Sequence, residues 1–132
     1  MQDFVRGVLV KRAYTIVSWV AVVVWMGALF ISSSHPVPEK VGLIPDKVLH
    51  FAAYFALGLL YVNALTNGFA KPMRWREALL AIGLSTIFGV FDEWHQSYVP
   101  TRSMSFLDVV FDFLGSSSAA ACLLCFRRIR NG

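Results

Sequence analysis

Asp46, Lys47, His50 and Tyr54 form the first of three polar groups in an otherwise apolar chain; Asp92, Glu93, His95 and Gln96 form the second, and Arg102, Ser105, Asp108 and Asp112 the third. Asp46 and His50, His50 and Tyr54, Asp92 and Gln96, and Asp108 and Asp112 are each four apart, which on a helix places each pair on one face. Two aspartates stacked in this way repel unless a cation or a proton lies between them, and Lys47, Arg102 and a protonated histidine are the cations at hand. Asp92 and Glu93 with His50 would supply an acid–base set near neutral pH or ligands for a divalent ion, so these three are the candidates for any catalysis. Lys47 and Arg102 suit a different task. Beside helix N-termini, with their free N–H groups and positive dipole ends, they would hold a phosphate or carboxylate. Asp46 is expected to cap one such helix. Ser105 with Asp108 three residues later resembles a capping box with Asp in place of Glu. His95 is expected to face interfacial water.

The elements that carry these residues are membrane helices. Hydrophobic residues make up 57% of the 132 and charged residues 15%, against roughly 45–50% and 25% in soluble domains. The net charge of +4 does not indicate nucleic acid, because the basic residues cluster at the ends of apolar runs instead of forming a solvated stripe. Four spans are predicted, at about 13–31, 48–66, 78–98 and 106–126. The runs are continuous and do not alternate, which excludes a barrel. The first run is longer than the roughly 7–15 apolar residues of a signal peptide and more spans follow it, so it is expected to remain as a span. Cys122 and Cys125 have no second Cys or His pair nearby and are expected to be small packing residues. The fold class is thus all-α: one integral membrane four-helix bundle over residues 1–132.

Orientation follows from the flanks. Arg6, Lys11, Arg12, Lys71, Arg74, Arg76, Arg127, Arg128 and Arg130 fall on one side, and Lys40, Lys47 and Arg102 on the other. This bias predicts cytoplasmic N- and C-termini, and it gathers all three polar groups at the extracytoplasmic ends of spans two to four. Asp112 lies deepest, ~9 Å along its span. A carboxylate at a helix centre costs roughly 2.5–3.5 kcal/mol, so Glu93, Asp108 and Asp112 are expected inside the bundle with partners. Ala52 and Ala56, Ser85 and Gly89, and Gly115 and Ala119 are small pairs four apart, suited to close helix contact. They point to a core of spans two, three and four with the first span peripheral.

Taken in order, Asp46-Lys47-x-x-His50-Phe51-x-x-Tyr54, Asp92-Glu93-x-x-Gln96, Val99-Pro100-x-Arg102, Ser105-x-x-Asp108 and Gly115 resemble the VanZ-like family, named for a teicoplanin-resistance protein. Each element alone is weak, but their combination is specific and covers more than half of the chain. The family usually has Gly where Thr101 stands and Asn where Asp112 stands. The resemblance implies a bacterial inner-membrane, multi-pass protein linked to lower susceptibility to a lipid-tailed glycopeptide, and it supplies no mechanism.

Three functions fit these residues. The favoured one is a non-enzymatic protein whose polar site recognises an anionic head group of a cell-envelope lipid, with Asp46, Lys47, His50, Tyr54, Asp92, Glu93, Gln96, Arg102, Ser105, Asp108 and Asp112 as the binding set. The second is an enzyme acting on a lipid-linked phosphate or sugar. Against it, H-E-x-x-H, Gly-rich phosphate loop and G-x-S-x-G elements are absent from the sequence. The third is a proton-coupled transporter, which at four spans would need to be a homo-oligomer. Membrane lipid is the expected partner; no nucleic acid, cofactor or metal is assigned.

Overall fold

The computed structural model describes residues 1–36, 45–68, 70–71 and 73–131; Lys40, counted above for orientation, lies outside them. It contains four helices, α1 (Gln2–Ser33), α2 (Asp46–Leu65), α3 (Trp75–Gln96) and α4 (Phe106–Asn131), and no strand among the described residues. α1 starts well before the predicted span, since nothing between Gln2 and Arg12 breaks a helix. At ~1.5 Å per residue it is longer than the ~30 Å hydrocarbon layer. α3 closes at Gln96, where the Ser97 N–H bonds back to the Glu93 carbonyl at 3.2 Å and the Ser97 hydroxyl caps the Trp94 carbonyl at 2.6 Å.

Among the described residues three helices are long and apolar enough to cross a membrane: Phe4–Ser33, Asp46–Leu65 and Phe106–Ile129. α3 is as long as α2 but carries Arg76 and Glu77 at one end and Asp92 and Glu93 at the other. Its outward side is nevertheless apolar, with Leu79, Ile87 and Phe91 exposed. Val17, Val23, Ile87 and Ile129 are each more than 60% exposed, and large apolar side chains at such density are stable only against lipid or a partner. This is a membrane protein.

Packing follows the small residues. α2 makes its largest contact with α4, and the two run parallel, Phe51 and Phe55 lying against Gly115 and Gly58 against Ser116 and Ala119. A Cβ on Gly58 would stand 3.0 Å from the Ser116 Cα, and one on Gly115 would overlap the Phe51 carbonyl oxygen. α3 runs antiparallel to both, with Ala78, Ala81, Ser85 and Gly89 facing inward. α1 rests mainly on α2, tied by Trp25 Nε1 to the Ala53 carbonyl at 3.1 Å and by the Tyr14 hydroxyl to Asn63 at 3.3 Å. The peripheral place predicted for the first span is observed.

Two packing expectations need correction. Ala52 is exposed and Ala56 only half-buried; Gly58 provides the close approach on α2, because the α4-facing side of α2 runs through Phe51, Phe55 and Gly58. Cys122 and Cys125 are exposed on α4, and Cys125 lines an open groove beside α3 instead of packing in the core.

Gly115→Ala is expected to destabilise the protein by about 1–3 kcal/mol, since backbone must move to admit the methyl group. Gly83→Ala, whose Cβ meets nothing within 4 Å, should be neutral or stabilising by up to ~1 kcal/mol through helix propensity. Unfolding of both variants in mild detergent measures the difference.

Candidate functional site

The polar groups meet at the end of the bundle where α2 and α4 begin and α1 and α3 finish. The α2–α4 contact sets their register: Phe51 lies against Gly115 and His50 faces Asp112, one turn before Gly115 on α4, with His50 Nδ1 2.9 Å from Asp112 Oδ1. The other ring nitrogen, Nε2, faces Glu93 Oε1 at 3.8 Å and Asp46 Oδ2 at 4.0 Å. Lys47 Nζ stands 3.8 Å from Asp108 Oδ1. Tyr54 lies one turn below His50 with its ring nearly parallel, centroids 6.4 Å apart. Glu93 and Asp112 have no exposed surface, and Asp92, Gln96 and Asp108 are buried. The bundle-internal placement expected of the acids is what the structure shows.

Glu93 also performs a local task. Its Oε2 accepts the Ser105 backbone N–H at 2.8 Å, while the Ser105 hydroxyl accepts the Asp108 N–H at 3.4 Å. Ser105 is therefore the N-cap of α4. The reciprocal bond of the expected box comes from Glu93 on α3, not from Asp108, which leaves the Asp108 carboxylate for Lys47. Asp46 is likewise no cap: it is the first residue of α2, Pro45 holds the cap position without a side-chain bond, and the Asp46 carboxylate extends toward His50.

Asp92, Gln96 and Arg102 form an adjoining arm. Asp92 accepts the Ser33 hydroxyl at 2.5 Å and Gln96 Nε2 at 3.1 Å; Gln96 Oε1 accepts Arg102 Nη1 at 2.8 Å. Arg102 Nε donates to the His35 carbonyl at 3.1 Å. His95 is half-buried over the Phe30 ring, centroids 4.2 Å apart, with Nε2 3.0 Å from the Ser34 hydroxyl, and does not simply face water. The last turn of α1 thus belongs to the site, which the sequence reading missed. Its signal is the run Ser32-Ser33-Ser34 closing a helix otherwise built of large apolar residues.

Thr101 explains one departure from the VanZ-like pattern. It has φ 71°, the left-handed region that glycine enters freely and a β-branched residue only at a cost. The connection from Gln96 to Arg102 needs this conformation: the Val99 N–H returns to the Gln96 carbonyl at 2.9 Å and the Arg102 N–H to the Val99 carbonyl at 3.1 Å.

Asp46, Asp92, Glu93, Asp108 and Asp112 face two fixed cations, Lys47 and Arg102, and one imidazole. Among the described residues Tyr54 Oη, Glu93 Oε1, Asp108 Oδ1 and Asp112 Oδ2 make no hydrogen bond. Each such buried group costs about 1–3 kcal/mol unless something binds it. A cleft of about 120 Å³ opens beside them, lined by the apolar Leu29, Leu49 and Ala53 together with Ser33, Asp46, His50, Tyr54, Asp92 and Arg102. A larger groove of about 770 Å³ between α3 and α4, lined by Ala78, Ile82, Ala120 and Leu124 with Trp75 and Arg128, contains none of the predicted site residues.

Fold and site together define a helical membrane protein with a buried carboxylate–imidazole cluster at one end of its bundle. The model of the VanZ/LLP1 family matches residues 17–127, and the chain belongs to that family. Comparison with curated proteins and with solved structures gives no match.

Two substitutions test this construction. Glu93→Ala should lower stability by about 1–3 kcal/mol through loss of the shared cap, whereas Glu93→Gln, which keeps an acceptor for Ser105, should recover most of it. Thr101→Gly should raise stability by about 0.5–1 kcal/mol, the left-handed cost of ~1–2 kcal/mol outweighing the added freedom of the unfolded chain. Unfolding curves in detergent decide both.

Proposed function

We propose that this protein is a multi-pass bacterial inner-membrane protein that binds the phosphorylated head group of a cell-envelope lipid at the extracytoplasmic end of its bundle. The observation that carries the reading is the cleft, which gathers Arg102 and the first residue of α2 with the apolar side chains of Leu29, Leu49 and Ala53. A lipid has the matching combination, with an anionic group directly above its chains. The apolar side chains suit the first carbons of an acyl or prenyl tail, while Arg102, held by Gln96 and the His35 carbonyl, is oriented before any ligand arrives. Such pre-ordering reduces the entropy lost on binding. α3 is the fourth span in this reading, and the excess of Lys and Arg at the other end of the bundle supports cytoplasmic termini. A link to teicoplanin susceptibility belongs to the same proposal, because that antibiotic's lipid tail and an outer-leaflet head-group site occupy the same layer.

One observation favours a catalytic variant of this reading. His50 lines the cleft and holds one ring nitrogen 2.9 Å from a fully buried carboxylate, as in a general base oriented by an acid. In that variant His50 takes the proton of a water attacking the lipid phosphate, with Asp112 holding the ring. The phosphorus–oxygen bond to the lipid breaks, and the departing oxygen receives the proton back from His50.

Native mass spectrometry of protein extracted in mild detergent should show a retained phospholipid or lipid-linked phosphate. Lys47→Ala with Arg102→Ala should reduce that retention about tenfold, equivalent to ~1.4 kcal/mol; equal retention would overturn the reading. Orientation is tested separately. In a variant with Cys122 and Cys125 replaced by Ala, Ser103→Cys should react with a membrane-impermeant maleimide in spheroplasts and Arg74→Cys only after lysis.

A further inference from the structure

We propose that Asp46, His50 and Asp108, joined by Glu93, form a binding site for one divalent metal ion at the edge of the head-group cleft, which Asp46 and His50 line. One ligand atom from each of Asp46, His50 and Asp108 lies within 4.8 Å of the others. Acidic side chains at such spacing are common without an ion, and a second, independent feature points to a ligand here. Glu93 is fully buried, and its Oε1, which makes no hydrogen bond, stands 3.8 Å from His50 Nε2. That separation is too long for a hydrogen bond. It is close to the ~3–3.5 Å between neighbouring ligands around an ion bound at about 2.1 Å.

The histidine is arranged for the task. A carboxylate only accepts, so Asp112 Oδ1 at 2.9 Å fixes the hydrogen of the neutral ring on Nδ1. Nε2 then presents its lone pair toward Asp46 and Glu93. A ligating imidazole whose other nitrogen donates to a carboxylate is the usual outer-shell arrangement of protein metal sites. One nitrogen and several carboxylate oxygens suit Mn²⁺, Fe²⁺ or Zn²⁺ better than a thiolate-seeking ion. Lys47, 3.8 Å from Asp108 Oδ1, is the competing cation, and Asp46, with its side chain 57% exposed, is the ligand at the entrance. The site stands on this geometry, but the ion's purpose rests on the head-group reading: carboxylates that would repel a phosphate hold instead a cation that bridges to it.

The test uses the whole chain in mild detergent, stripped with a chelator and titrated without added lipid with Mn²⁺, followed by loss of the free-ion electron paramagnetic resonance signal, and with Zn²⁺ as competitor. One ion per chain is expected. Asp112→Asn should weaken Mn²⁺ binding by about 10–100-fold, and Asp46→Asn and Glu93→Gln by at least about tenfold. Asp46→Asn should leave the unfolding of the metal-free protein unchanged, which separates a lost ligand from a lost fold. Lys47→Ala should bind the ion as tightly as wild type or more so. Substoichiometric binding, or binding untouched by Asp46→Asn and Glu93→Gln, would overturn the site. Lipid retained in chelator by a protein that binds no ion would remove the metal and leave the head-group reading in place. One tightly bound ion without any retained lipid would do the reverse.

Discussion

The close approach of α2 and α4 is the constraint on which the rest of the bundle depends. Between membrane helices the hydrophobic effect contributes little, and association rests on van der Waals contact and on satisfying polar groups. Gly58 and Gly115 allow backbone to meet backbone, with no space for even a methyl group at Gly115. Two parallel helices held that closely have one register, and in that register His50 faces Asp112. Slide α4 by one turn and a fully buried carboxylate would lose its partner, at a cost of several kcal/mol. The glycine contact and the His50–Asp112 hydrogen bond therefore enforce each other.

α3 is placed by different means. Gly89 lies over Asp112, where a Cβ would come within 2.5 Å of Oδ2, so α3 too must approach α4 closely at the depth of the acid. One turn further on, Glu93 reaches across to the N-terminus of α4 and accepts the Ser105 N–H. The orphan donors of a helix start are normally satisfied within the same chain segment. Here a neighbouring helix does it, so the cap also anchors α3 to α4. One residue thus serves both the bundle and the site: Oε2 completes a helix, while Oε1 is left facing His50. The arrangement concentrates negative charge where water is scarce, which only a bound cation, a proton or an ordered ligand offsets.

Much of this was legible in the residues. Long uninterrupted apolar runs specify helices of membrane length, and the cost of burying a carboxylate predicts that Glu93, Asp108 and Asp112 face inward with partners. Spacing identified Ser105 as a cap, because that depends on residues three apart on one element. What spacing could not supply was any contact between elements. Asp46 reads as a cap until α3 and α4 bring Glu93 and Asp108 near His50, and Ala52–Ala56 reads as a contact pair until the angular position of Phe51 relative to Gly115 is known. Ser33 was passed over for the same reason: a serine run ending an apolar helix has no assignable task until Asp92, 59 residues away, lies 2.5 Å from it.

The two departures from the VanZ-like pattern differ in physical weight. Thr101 occupies a conformation that glycine would enter at less cost, so it changes the energy of a turn and leaves the hydrogen bonds of that turn in place. Asp112 changes the site itself. An asparagine there would still accept from His50 Nδ1 through its carbonyl oxygen, keeping the ring orientation and the α2–α4 register. It would not carry charge into a region with no exposed surface. Geometry alone is therefore indifferent between the two residues, and only the charge distinguishes them. An added negative charge behind His50 strengthens the ring as a lone-pair donor toward the cleft. The chain consequently bears a stronger demand for a cation at Nε2 than the same bundle would with asparagine, and that demand falls where Glu93 Oε1 and Asp46 already converge.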